Sequence, residues 1–252
     1  GRSHFMRERF VQYFYYRIFR DSQFYGLFKK FDPSFVFVSN LYGQFDTTLI
    51  AEAKKRHIPT MGMTTNWDHY DKYYLPFKTD ILLVQSEQMK DFAMRYQGYN
   101  RDRLYFTGYP HLDFVSREGS TISRSEVLEG LNLPQDAKYI VYASSSAYCR
   151  DEPDIIEEIL KWLDGGKFGF EVYLVIRPYS GGRGGDREFD KKKFEHFKKH
   201  PRVRFYEREF WGDLEKSIYF VNIMRHADVV IAVYTTMALE AAVLDRPLVA
   251  TA

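Results

Sequence analysis

The chain has a single cysteine among 252 residues, Cys149, so no internal disulfide can brace it; we read that thiol as structural or incidental. It has no apolar stretch near the ~18 residues of a membrane-spanning helix, and no secretory apolar segment. It has no large excess of either charge: 36 Lys and Arg stand against 34 Asp and Glu, a formal net charge of +2. That balance lacks the basic footprint of a nucleic-acid-binding protein. No short-period repeat is visible. These absences predict a cytoplasmic, folded chain of one or two domains. Gly1-Arg-Ser-His-Phe5, ahead of Met6, reads as an expression scar outside the fold.

What is present is most telling at the end. Residues 229–233 are a short apolar run, as in a strand buried on both faces of a parallel sheet. Thr235 and Thr236 follow, then helix formers over 237–244, a turn at Asp245-Arg246-Pro247, and a further strand from Leu248. Ligands of such sheets sit beyond the carboxyl ends of the strands. The helix start suits a phosphate, and Glu240, one turn on from Thr236, suits the hydroxyls of a ribose. A capped helix after an ordinary buried strand is the bland alternative.

Upstream, strands are expected at 35–38, 58–63, 81–84 and 104–107, with helices at 46–56 and 87–96. A Ser/Gly-rich, charged stretch at 116–125 reads as a linker. A second series follows, with strands at 139–142, 171–176 and 203–206 and helices at 153–162 and 217–225. Strands alternating with helices predict parallel, doubly wound sheets. The expected organisation is an α/β chain of two Rossmann-like domains facing a cleft, 6–115 and 126–252, joined by 116–125. Residues 6–31 carry six basic and two acidic residues, with Val11, Phe14, Tyr15 and Ile18 at helical spacing. They read as a helix packed on the first sheet, with peripheral membrane contact through residues 6–30 as the alternative.

Several segments together resemble the GT-B superfamily, which includes nucleotide-sugar glycosyltransferases, UDP-N-acetylglucosamine 2-epimerases and, more distantly, CDP-glycerol glycerophosphotransferases. They are Ala227-Asp228 through the 229–233 strand, Tyr234-Thr235-Thr236, Ala238-Leu239-Glu240-Ala241-Ala242 and Asp245-Arg246-Pro247. Ala51-Glu52-Ala53 with Ile58-Pro59-Thr60, and Thr107-Gly108-Tyr109-Pro110-His111-Leu112-Asp113, add to the likeness. Within the superfamily, Asn66-Trp67-Asp68 and Ser86 to Lys90 most resemble proteins of bacterial surface-carbohydrate synthesis. The resemblance implies that Thr235 and Thr236 meet a diphosphate and Glu240 a ribose. It also implies an incomplete first domain: one helix precedes the 35–38 strand where the superfamily has several βα units. No closing helices follow the last strand. The chain is then a fragment or a reduced relative.

The remaining candidates follow from strand-end placement. Asn66, Trp67, Asp68, His69 and Asp71 come after the second strand; we assign Asp68 and His69 as catalytic bases and Asn66, Trp67 and Asp71 to the acceptor. A polar loop anchored by Trp67 is the alternative. No metal is expected, since the Asp68, His69, Asp71 spacing fits no particular ligand geometry. Ser144 and Ser145, with Ser146, and Arg177 are assigned to the nucleotide; a helix N-cap region is the alternative for the serines. Relatives often carry Arg-Pro-His-Pro where this chain has Arg177-Pro178-Tyr179-Ser180, which argues against the glycerophosphotransferase reading. The 181–185 glycine run lacks a phosphate-loop ending and reads as a mobile loop in which Arg183 can close over substrate.

The resulting expectation is a glycosyltransferase moving a sugar from a nucleotide diphosphate donor, a UDP-sugar, to a hydroxyl of a glycan or lipid-linked acceptor in surface-polysaccharide synthesis. It needs no tightly bound cofactor and no nucleic acid, and works in the cytoplasm at the inner face of the membrane. The alternatives are a 2-epimerase, a nucleotide-binding module without turnover, and a CDP-glycerol glycerophosphotransferase-like enzyme.

Overall fold

A computed structural model describes residues 2–18, 23–66, 69–110, 112–113, 120–146, 149–179, 185–207, 214–233 and 235–251. The chain divides into two compact units, Gly1–Pro110 and His111–Ala252. Both are α/β with parallel sheets.

Unit 1 contains α1 (Arg2–Ile18), α2 (Tyr25–Phe31), β1 (Val36–Val38), α3 (Gln44–Lys55), β2 (Thr60–Met63), α4 (His69–Lys72), β3 (Ile81–Val84), α5 (Glu87–Gln97) and β4 (Leu104–Phe106). The strands pair in the order β1-β2-β3-β4, all parallel. Local signals set the ends of α5. The Ser86 hydroxyl accepts the Met89 amide, and Gly98 takes a left-handed conformation (φ 71°) that an L side chain resists. One face of the sheet builds the core through Val36, Val38, Leu82, Val84 and Leu104. Side chains alternate across a strand, so Phe37 and Tyr105 project from the other face, where they remain 48% and 54% exposed.

The N-terminal stretch differs from the single amphipathic helix predicted. It forms two helices, and α1 docks by Tyr15, whose hydroxyl hydrogen-bonds Thr48 (2.9 Å) and whose ring meets Phe77 edge-on. Phe14, expected on the packing stripe, stays exposed beside Phe10 and Tyr13. Helical periodicity marks a face but does not say which of two adjacent apolar stripes finds a neighbour.

Unit 2 contains α6 (Arg124–Gly130), β5 (Lys138–Ala143), α7 (Glu152–Asp164), β6 (Val172–Arg177), α8 (Gly185–Lys192), β7 (Val203–Phe205), α9 (Leu214–Arg225), β8 (Val229–Val233), α10 (Met237–Val243) and β9 (Leu248–Thr251). Its sheet is parallel throughout, in the order β7-β6-β5-β8-β9. The chain first winds outward from β5 to β7, then returns to β5's other side as β8. Both faces are covered. Tyr139, Val141, Val175 and Val230 enter one core cluster, and Ile140, Tyr142, Leu174 and Ile231 enter the other.

Residues 120–125, assigned to the linker by composition, are attached to unit 2. Ser120 is buried, Ile122 donates its amide to Asn222, and Arg124 and Ser125 open α6 behind a reciprocal Ser123–Glu126 cap. Of the 181–185 run, read as a mobile loop with Arg183, residues 181–184 lie outside the described residues; Gly185 opens the polar helix α8.

At the amino-terminal end of the sheet, Asp228 accepts the Tyr139 amide (2.9 Å), Lys138 Nζ (3.1 Å) and Arg124 Nη2 (3.3 Å). Burial raises its pKa, but those donors outweigh burial and leave the carboxyl below its ordinary range. Asp228→Ala strips the Tyr139 amide of its acceptor and should destabilise unit 2 by about 1–3 kcal/mol. Urea denaturation measures this; a change under about 0.5 kcal/mol, the scatter of neutral surface substitutions, would show that water replaces the carboxylate.

Candidate functional site

In a doubly wound sheet the strand order reverses at one point, and the crevice beyond the carboxyl ends there is where ligands bind. In unit 2 that point lies between β5 and β8. Three of the assigned segments meet around it. Ser144 follows β5, Thr235 and Thr236 follow β8, and Arg177 ends β6, with Ala143 in register with both Arg177 and Ala232. The Ser144 amide donates to the Arg177 carbonyl (3.1 Å), so the two strand ends are joined.

Arg177 and Glu240 are buried charges of this region, 8% and 6% exposed. Burial pushes the Glu240 carboxyl up to about 7, and the Arg177 charge opposes that rise. Burial likewise pulls Arg177 down, opposed by Glu240. The Arg177 guanidinium also lies over the Phe220 ring, 5.4 Å from its centre.

Thr235 and Thr236 are half-buried. Thr235 Oγ1 accepts the Met237 amide at 3.4 Å, and Thr236 caps α10 without a side-chain bond to it. The serines, read as phosphate contacts or as a helix N-cap region, form the loop after β5. Ser144 is fully buried, and its hydroxyl donates to the Ser145 carbonyl (2.9 Å) and to Glu152 (3.3 Å). The Ser145 amide donates to Glu152 Oε1 (2.9 Å). Those donors brace the loop. Ser145 and Ser146 keep half-buried side chains. Glu152, the residue that organises this loop, went unnoticed in the sequence; its signal was an acidic residue opening the helix with Pro153 behind it.

In unit 1, Trp67 and Asp68 lie outside the described residues. His69 opens α4 at the carboxyl-end side of β2, its ring edge-on to Tyr42 and Tyr73 at 5.0 and 5.4 Å. Tyr42 donates its hydroxyl to the His69 carbonyl (2.9 Å), and the Asn66 carbonyl accepts from Thr64 (3.0 Å). Asp71 is exposed on α4. Tyr42 and Tyr73, unforeseen from sequence, thus frame His69. The short α4 is held from below. Gln97 donates to the Tyr70 and Tyr73 carbonyls (2.7 and 2.6 Å), and the Tyr70 hydroxyl donates to Leu83 (3.2 Å).

Solved structures share this architecture. S. aureus MnaA with UDP matches at TM-score 0.64 and 15% identity, over 90% of this chain and 60% of that one. The Methanocaldococcus jannaschii UDP-GlcNAc 2-epimerase with UDP-GlcNAc and UDP matches at 0.57 and 13%, over 89% and 62%. The fold is GT-B-like. The wall teichoic acid polymerase TagF soaked with CDPG shares this GT-B-like fold at TM-score 0.51 and 15% identity, over 85% and 52%. The chain therefore spans about three fifths, or less, of the length of these structures. The profile of the CDP-Glycerol:Poly(glycerophosphate) glycerophosphotransferase family matches residues 50–145, less than half of the chain. Comparison with curated protein sequences gives no match.

Proposed function

We propose that unit 2 of this GT-B-like chain binds a nucleoside diphosphate, and that the protein is a transferase passing the sugar of a UDP-linked donor to a hydroxyl acceptor in surface-polymer synthesis. The observation that carries this is that Arg177, at the end of β6, and Glu240, in the helix after β8, are both buried and within electrostatic reach of each other. Arg177 and the hydroxyls of Thr235 and Thr236 take the diphosphate and stabilise its charge as it departs; Glu240 takes the ribose. Ser145 borders that site. The acceptor hydroxyl attacks the anomeric carbon and gives up its proton to Asp68 or His69, with Asn66, Trp67 and Asp71 contacting the acceptor. The acceptor is a glycan or a lipid-linked one. Exposed Met6, Phe10, Tyr13 and Phe14, with Arg9 and Arg17 on the same helix, fit contact with the inner face of the membrane; among the described residues no helix is long and apolar enough to cross one.

A second reading is transfer of glycerol phosphate from a CDP-linked donor. The family profile over residues 50–145 favours it, and the Tyr179 in place of a histidine after Arg177-Pro178 weighs against it. Titration calorimetry with UDP, CDP, GDP and ADP separates the two. UDP should bind best, at least about tenfold over the others, which is ~1.4 kcal/mol. Preference for CDP would move the assignment to glycerophosphate transfer, and no binding of any of the four would overturn the nucleotide site.

A further inference from the structure

A second buried charge cluster lies under the same strand ends. Lys193, one residue past α8, donates to Glu152 Oε2 (2.6 Å), the Ser145 carbonyl (3.0 Å) and Asp190 Oδ1 (3.2 Å). An ammonium has three N–H groups, and these contacts use all of them. The Lys193, Glu152 and Asp190 side chains are 1%, 0% and 0% exposed. Glu152 also takes the Ser145 amide and the Ser144 hydroxyl. Burial raises the Glu152 pKa, opposed first by the Lys193 hydrogen bond and then by the Ser145 amide.

Replacing such a buried ionic group by apolar side chains is often neutral or stabilising. What it supplies here is direction. The Glu152 loop follows β5, whereas Asp190 and Lys193 belong to the segment that follows β6. Among the described residues, no backbone hydrogen bond joins residues 144–151 to residues 185–193. The Lys193 ammonium joins them, assisted by Arg150 lying 5.5 Å from the centre of the Phe189 ring.

We propose that Lys193 is a positioning residue that clamps the loop after β5 to the segment after β6, so that two chain segments bordering the Arg177 site hold one shared geometry. The clamp stands on these contacts alone; that the segments serve a nucleotide rests on the function proposed above.

Hydrogen–deuterium exchange on the full chain tests it, comparing Lys193→Met, Lys193→Arg and Glu152→Gln with the parent. Lys193→Met should speed amide exchange on the order of tenfold in both 144–151 and 185–193, while β5 and β6 keep their protection. Lys193→Arg, which keeps the charge and several donors, should restore most of that protection in both segments. Glu152→Gln should loosen the same two segments together to a smaller degree, and decides the matter if Lys193→Met does not fold. UDP affinity should fall in step with the paired loosening. Faster exchange confined to 185–193, with 144–151 unchanged, would overturn the clamp. If the parent binds neither UDP nor CDP, the nucleotide reading fails while the paired exchange still decides the clamp.

Discussion

Replacing Arg177 by methionine is expected to lower nucleoside diphosphate affinity about 10- to 100-fold, the scale of one or two charge-assisted hydrogen bonds. The fold should survive this change better than most losses of a buried cation. Ordinarily, removing one partner of a buried pair strands a charge and costs about 3–5 kcal/mol. Here the partner is Glu240, whose carboxyl already sits at about 7 with Arg177 present. Without Arg177 it rises further and is protonated at neutral pH, so no bare carboxylate is left in the interior. Calorimetry for UDP and CDP, run beside thermal melts, tests both halves. Unchanged affinity in a folded variant would remove Arg177 from the site.

Glu240 should also make unit 2 less stable as pH rises, opposite to the behaviour of a salt-bridged carboxylate. Its folded-state pKa of about 7 lies above the ordinary value of 4.5. Below pH 4.5 both states hold the proton. Between 4.5 and about 7 the unfolded chain releases it while the folded chain retains it, so stability falls throughout that window. Above 7 the loss is complete and constant. A shift of this size corresponds to about 3 kcal/mol. Glu240→Gln has no proton to lose. The difference in unfolding free energy between parent and variant, from urea titrations at pH 4 and pH 8, should therefore change by about 3 kcal/mol in the variant's favour at the higher pH. Other titrating groups cancel in that difference. Parallel pH profiles would show that Glu240 ionises normally and is hydrated.

The βα alternation was legible because β5, β6 and β8 of unit 2 are each built on an apolar run of at least four residues. Residues 229–233 were bounded to the residue, and the 139–142 and 171–176 runs each differ from their strands by one or two residues. Short polar helices were not legible. In α8 the sequence Gly-Asp-Arg-Glu-Phe-Asp-Lys-Lys offers Phe189 as its lone large apolar residue, and the helix is anchored by Asp190 and by Lys193 just beyond it. In α6 the Ser123-x-x-Glu126 signature was present, but the charged composition of 116–125 obscured it. Among candidate residues, Arg177, Thr235 and Thr236 could be placed at strand ends from strand assignment alone, and Glu240 one helical turn further on from its spacing to Thr236. Glu152 and Lys193 could not be, since they are 41 residues apart and each looks like an ordinary charged surface residue until the chain folds.

Sequence by itself determined that unit 2 is a parallel α/β layer with small hydroxyl residues and a carboxylate at the ends of its strands. Hydrophobic runs, turn residues and helix-forming stretches are local properties, and they carry that much. Tertiary structure alone decided which strand lies beside which, and so where the order reverses. It alone turned the Ser144 hydroxyl and the Ser145 amide inward to Glu152. It also buried Glu240 beside Arg177 and so moved a carboxyl of ordinary acidity to about 7. Desolvation and charge proximity depend on distances between residues far apart in the chain, and no local pattern encodes them.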